Sequence, residues 1–131
     1  MSVAEVEALV DGGVKKPAQL QECDYIAPQR ELAGLNFMVR DGRIARVDIT
    51  DSAFATAEGA RMGDSETRIK QLYAGQVEVS PHKYVDGNYL IVTPVAATDT
   101  AYRVVFETDG KRVTRFRSGK MPEVSWVEGC S

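Results

Sequence analysis

The amino-acid sequence predicts an α+β fold made of two repeats, each a short helix followed by an antiparallel β-meander, with the helices packed on one face of the sheet. Three observations lead to this prediction. Two short apolar stripes have helical spacing, strand-like segments follow each stripe in the same order, and each half carries an Asp-Gly pair at a hairpin position. With an apolar fraction of 44% and a charged fraction of 27% in 131 residues, a packed globular core is expected.

The first helix is predicted to begin at a capping box. Ser2 is followed three residues later by Glu5, and in this spacing each side chain bonds the backbone N–H of the other residue. Val6 and Leu9 continue an apolar stripe, and Gly12-Gly13 is expected to end the helix.

The second helix repeats this arrangement more loosely. Asp64 or Ser65 is predicted to cap it, Ile69 and Leu72 form its apolar stripe, and Gly75 ends it. The two stripes align at a constant offset, which favours an internal duplication.

The strands are predicted from short apolar and alternating segments between turn residues. They are residues 23–26, 35–40, 44–49, 76–79, 89–92, 102–107 and 112–117, with an additional C-terminal strand at 124–127. Asp41-Gly42 and Asp109-Gly110 are expected to form the same tight two-residue turn, and aligning the two hairpins requires one inserted residue and a β-bulge. The first repeat then covers residues 1–50 and the second repeat covers residues 62–131, with residues 51–61 as a linker between them. This arrangement is compatible with one continuous domain.

The two helix openings carry a resemblance to known proteins. Residues 1–10 begin Met-Ser-Val-Ala-Glu-Val, and a looser second copy starts at Met62-Gly63-Asp64-Ser65. They resemble the tandem repeats of the β-lactamase-inhibitory-protein-like and outer-membrane-assembly-lipoprotein-like families, which implies helices on an antiparallel sheet and protein binding without catalysis. Arg68 departs from that pattern, because it stands where the second capping box would have Glu. The chain also resembles uncharacterised exported bacterial proteins, a resemblance that implies no activity.

The two cysteines indicate the compartment. Cys23 opens the first predicted strand and Cys130 is the penultimate residue, so a disulfide between them would fasten the C-terminus to that strand. Closing so long a loop stabilises a protein by up to ~4–5 kcal/mol in the chain-entropy model. A disulfide favours a secreted or periplasmic protein whose leader is absent from this sequence. The alternative is a pair of free thiols in the cytosol.

The segment around the single histidine is the most distinctive in the chain. His82, Lys83, Tyr84, Asp86 and Tyr89 lie within eight residues, at a predicted loop between strands. Such side chains suit contacts with sugars, peptides or proteins, so these five are predicted binding residues. The alternative is a polar hairpin whose tyrosines pack against the sheet edge.

Arginines cluster in both predicted hairpins. Arg46 in the first and Arg115 in the second are predicted binding residues, because adjacent hairpins would form a positive strip able to bind carboxylate or phosphate. The alternative is the solvent face of the sheet, where arginines pair with Asp and Glu across strands.

The remaining features narrow the function classes. A net charge of −3 and sparse aromatics disfavour nucleic acid, and no apolar run approaches a transmembrane segment. No metal, cofactor or catalytic motif occurs, and no feature indicates an oligomeric state. We therefore expect a non-enzymatic exported module that binds a protein, peptide or envelope glycan. A structural accessory of bacterial envelope assembly is the alternative, and a small hydrolase using His82 with a carboxylate such as Asp86 comes third.

Overall fold

One antiparallel sheet is the framework of the protein in the computed structural model, which describes residues 2–9, 14–17, 19–28, 34–94 and 101–130. The strands are β1 (Val14–Lys15), β2 (Cys23–Pro28), β3 (Leu35–Arg40), β4 (Arg43–Ile49), β5 (Val77–Pro81), β6 (Asn88–Val92), β7 (Tyr102–Thr108) and β8 (Val113–Lys120). Their order is β1-β2-β3-β4-β8-β7-β6-β5, and the two-residue β1 pairs with the edge of the seven longer strands. The two successive meanders therefore meet where β4 pairs with β8.

Helices contribute little to the described structure. α1 (Val3–Leu9) and α2 (Glu66–Leu72) have seven residues each, and a single 3-10 turn, η1, spans Glu123–Ser125. The predicted antiparallel sheet is confirmed, but the protein is mostly β, so the α+β class overstates its helix content. The physical reason is that the apolar stripes are only two turns long. Gly12-Gly13, predicted to end α1, lies outside the described residues, and the two-repeat layout stays a prediction.

Both predicted helix caps are present. The Ser2 backbone N–H donates to Glu5 Oε1 and the Glu5 backbone N–H donates to Ser2 Oγ, both at a distance of 3.2 Å, and these two bonds form a capping box. Ser65 is the N-cap of α2, where its Oγ accepts from the Arg68 N–H at 3.0 Å. Asp64 instead accepts from the Arg61 N–H at 3.0 Å.

The sheet has two faces that we name after adjacent residues of β7, because neighbouring side chains of a strand point to opposite faces. The Phe106 face carries the largest buried apolar cluster, which includes Leu90, Phe116 and Ile69 of α2. Ala60, in the predicted linker, is fully buried in the same cluster. The Glu107 face carries a smaller cluster and most of the buried charge.

The two Asp-Gly hairpins differ from each other. Asp41 and Gly42 have φ of 51° and 78°, as a two-residue turn requires, so that prediction is confirmed. In the second hairpin β7 and β8 close at the Thr108–Val113 pair, leaving a four-residue loop. The prediction of the same turn is therefore wrong there. The Asp109 carboxylate accepts hydrogen bonds from the backbone N–H groups of Lys111 and Arg112, so these two groups of the longer loop have partners.

The predicted strand at 124–127 is wrong. Residues 121–130, which we call the C-terminal segment, form η1 and turns against the Glu107 face, where Val124 is fully buried beside Tyr89 and Val105. Backbone carbonyls of this segment accept hydrogen bonds from arginine side chains instead of from a neighbouring strand. The Cys23–Cys130 disulfide is present, with a Cα–Cα distance of 5.5 Å, and it fastens this segment to β2.

Candidate functional site

A buried carboxylate organises the Glu107 face. Glu107 is 2% exposed, and its Oε1 lies 2.8 Å from His82 Nε2. Its Oε2 contacts Arg115 Nε at 3.2 Å and accepts a short hydrogen bond from Arg117 Nη1. Burial raises the pKa of Glu107, but the hydrogen bond from His82 and the charges of Arg117 and Arg115 outweigh it and hold the pKa below its ordinary value. The carboxylate is therefore ionised and has partners on both oxygens.

His82 is held on both ring nitrogens. Nδ1 accepts from the backbone N–H groups of Tyr84, at 3.0 Å, and Val85, at 3.3 Å. These bonds require a lone pair on Nδ1, so we assign the proton to Nε2, which then donates to Glu107. The ring stacks on Tyr89 with centroids 4.5 Å apart. The predicted loop histidine is thus an internal partner of the sheet, and both of its nitrogens are engaged within the protein.

Two buried arginines hold the C-terminal segment in place. Arg46 is 4% exposed and donates through Nη1 to the carbonyls of Glu123, at 2.8 Å, and Trp126, at 2.7 Å. Arg117, equally buried, donates through Nε to the Val124 carbonyl at 2.6 Å. These arginines therefore give three backbone carbonyls of this segment hydrogen-bond partners in place of a β-ladder, and Arg46, predicted to lie in an exposed positive strip, is covered.

A polar cleft of about 580 Å³ opens between the C-terminal segment and the sheet. Its walls come from both meanders and from the segment itself: Tyr25, Asn36, Arg46, Asp48, Thr50, Glu107, Arg115, Phe116, Arg117, Val127, Glu128 and Gly129. Three arginines face three carboxylates, so the lining has no net charge.

Arg115 and Asp48 are charged groups of the cleft that retain unused hydrogen-bonding positions. The Arg115 side chain is 51% exposed and is anchored through Nε to Glu107. Among the described residues its two Nη groups have no further hydrogen-bond partner. The Asp48 side chain is 22% exposed and accepts from Arg46 Nε at 3.2 Å. Both side chains are thus oriented by internal contacts while remaining reachable from the cleft.

The other predicted binding residues lie in two places. Lys83 Nζ contacts Glu128 Oε1 at 3.2 Å, and the exposed Tyr84 donates a short hydrogen bond to the same oxygen at the rim of the cleft. Tyr89 is buried and its hydroxyl accepts from the Lys83 backbone N–H at 3.1 Å. Asp86 is exposed in the turn and does not line the cleft.

Sequence reasoning missed three carboxylates of this site: Asp48, Glu107 and Glu128. A signal for Glu107 existed, because a glutamate directly follows the apolar run Val104–Phe106 of a strand that is otherwise buried. Charged residues are rarely fully buried unless they are paired, so such a position indicates an internal ion pair. Arg115 lies opposite Glu107 in the predicted hairpin, but His82 is 25 residues away, so no local pattern identifies this second partner.

A second cavity, of about 540 Å³, lies on the Phe106 face and is mainly apolar. Tyr73 reaches its edge, where its hydroxyl hydrogen-bonds to Thr56 Oγ1 at 2.7 Å and to Glu58 Oε2 at 2.9 Å. Burial raises the pKa of Tyr73 to about 12.

None of the helices among the described residues is both long and apolar enough to cross a membrane. Within the same ranges, no cluster of three or more His, Cys, Asp or Glu side chains is arranged to hold a metal ion. In comparisons with known proteins, no family model, curated protein or solved structure matched the chain.

Proposed function

We propose that this protein is an exported, non-enzymatic binding module, and that its ligand site is the cleft on the Glu107 face. One observation carries the proposal: the cleft is lined by hydrogen-bonding side chains, and those of Arg46, Glu107 and Arg117 are already held by internal hydrogen bonds. A site whose side chains are already ordered loses less conformational entropy when it binds, which is the general advantage of preorganisation.

The lining favours a polar ligand without a large net charge. Arginines and carboxylates are equal in number, so a polyanion such as nucleic acid would meet as much repulsion as attraction. A peptide or a glycan segment offers both donors and acceptors and suits such a surface.

The contacts of His82 count against the hydrolase alternative. A general base must accept a proton from substrate or nucleophile, yet Nδ1 is occupied by two backbone N–H groups and Nε2 faces Glu107. Its carboxylate partner is Glu107 and not Asp86. The envelope-accessory alternative would use the predicted arginine strip as its contact surface, and burial of Arg46 removes one of the two arginines predicted there.

Two further features support export and duplication as parts of the proposal. The Cys23–Cys130 disulfide is typical of oxidising compartments. A helix followed by a four-strand meander occurs twice along the chain, with the last strands of both meanders paired, as expected if a duplicated unit with its helix on the sheet gave rise to the fold.

The proposal is tested by probing arrays of immobilised peptides and oligosaccharides with the purified, non-reduced protein. Thr50→Trp would fill the cleft, because Thr50 is exposed on its wall, and it should abolish any binding that the unaltered protein shows. Thr67→Trp is the control, since the same change falls on an exposed position of α2 away from the cleft. Binding that survives Thr50→Trp would place the site elsewhere, and free thiols in the non-reduced protein would contradict export.

A further inference from the structure

Arg115 offers donors for a carboxylate ligand. Its Nε lies 3.2 Å from Glu107 Oε2, so this ion pair holds one edge of the planar guanidinium and leaves the two Nη groups without a partner among the described residues. The side chain is half-exposed in the cleft. A pair of parallel Nη–H donors matches the two oxygens of a carboxylate better than it matches a single carbonyl or hydroxyl.

Asp48 supplies the opposite charge. Its Oδ2 accepts from Arg46 Nε, but an ionised carboxylate has about four lone-pair sites, so it retains capacity for a further donor. Glu128, at the rim, adds a second negative charge whose Oε1 already contacts Lys83. An ammonium group is the ligand chemistry that such acceptors favour.

The sheet register sets the distance between the Cα atoms of Asp48 and Arg115. Asp48 is paired directly with Arg117 across β4 and β8, and Arg115 lies two residues along β8 on the same face. Diagonal neighbours of this kind have Cα atoms about 7–8 Å apart. Both side chains line the same cleft, so a short ligand can contact both. A free phosphate would contact Arg115 and face the negative charge of Asp48, while a neutral sugar would bring no additional opposite charge to either Arg115 or Asp48.

We propose that the cleft binds a short zwitterion, an amino acid or small peptide with free ends, whose carboxylate pairs with Arg115 and whose ammonium group pairs with Asp48. This rests on the proposed function, since it names the ligand class of the same cleft. The cleft volume of about 580 Å³ accommodates a ligand of this size with room for side chains.

The test is calorimetric titration of the non-reduced protein with four probes: dialanine, N-acetyl-dialanine, dialanine amide and a neutral disaccharide. Dialanine is expected to bind, and blocking either end is expected to weaken binding by roughly tenfold or more, the effect of losing one hydrogen-bonded charge. These comparisons need no variant, so they do not depend on how a substitution affects folding. Arg115→Gln should weaken dialanine binding by a similar factor, and Arg43→Gln, an exposed arginine outside the cleft, should leave it unchanged.

Each other outcome has a distinct meaning. Equal affinity for N-acetyl-dialanine would identify an anion site, and equal affinity for dialanine amide a cation site; either overturns the zwitterion. Binding of the disaccharide without dialanine would overturn this inference and leave the proposed function standing. If the array and all four probes fail to bind, both are overturned.

Discussion

Replacing Glu107 by Gln isolates the contribution of the buried charge network to stability. The substitution keeps the size of the side chain but removes the negative charge opposite Arg117, which is 4% exposed, and it places an amide N–H₂ against donors. Breaking one partner of a buried ion pair costs about 3–5 kcal/mol, because the other charge stays buried without compensation. The half-exposed Arg115 adds little to this figure.

The measurement is urea unfolding of the non-reduced protein. With a slope of about 2 kcal/mol per molar, a loss of about 4 kcal/mol lowers the unfolding midpoint by roughly 2 M. Glu78→Gln is the matched control, because Glu78 is exposed on β5, and its effect should stay within about 0.5 kcal/mol. A midpoint for Glu107→Gln no lower than that of the control would refute the reasoning.

The difference in unfolding free energy between the unaltered protein and Glu107→Gln should also depend on pH, in a direction that the pKa of Glu107 defines. The pKa of Glu107 is lowered in the folded protein, so its carboxylate contributes stability above its ordinary pKa, near 4.5, and that contribution is lost as pH falls through the lowered value. The stability difference between unaltered protein and Glu107→Gln should therefore be constant near neutral pH and shrink below about 4.5. A difference that persists unchanged in acid would mean that charge is not its origin.

Three further predictions concern single positions. In Gly119→Ala the added Cβ would lie 2.4 Å from a backbone oxygen of β4, so we expect a loss of about 1–3 kcal/mol on urea unfolding, and an unchanged midpoint would contradict that contact. Ser65→Ala removes the cap of α2 and should cost about 1 kcal/mol, whereas the exposed Ser52→Ala should cost nothing measurable. Tyr73 should form phenolate only at a pH of about 12, which can be measured as the difference in ultraviolet absorbance between the unaltered protein and Tyr73→Phe. Because the pKa of Tyr73 is raised in the folded protein, the stability that its hydroxyl contributes is complete below the ordinary pKa of 10.0 and is lost as pH rises through about 12. Titration of Tyr73 near pH 10.0 would refute its burial.

Local patterns in the sequence were enough to predict seven of the eight strands, the two N-caps and the first hairpin turn. β3 was predicted at its observed bounds, and the Ser2–Glu5 capping box needs only residues three apart. These features depend on neighbours in the chain, where spacing alone carries the information.

The candidate site could be predicted only in part, because its contacts are long-range. His82 and Arg115 were singled out for their residue types, yet the carboxylate that joins them was not. Residues 124–127 have the alternating pattern of a strand. Arginine side chains from β4 and β8, however, donate hydrogen bonds to the carbonyls of Val124 and Trp126, and no local sequence pattern reveals such distant partners.

The pairing of β4 with β8 has a kinetic consequence. These strands join Arg46–Ile49 to residues ~70 positions later, and the cleft takes Asp48 from one side of that junction and Arg115 from the other. Contacts of such separation close late and fold slowly, since most of the loop entropy must be lost before they form. The proposed ligand site would therefore form only after the second meander has been synthesised and has docked, and a fragment containing either meander alone would carry only one of Asp48 and Arg115.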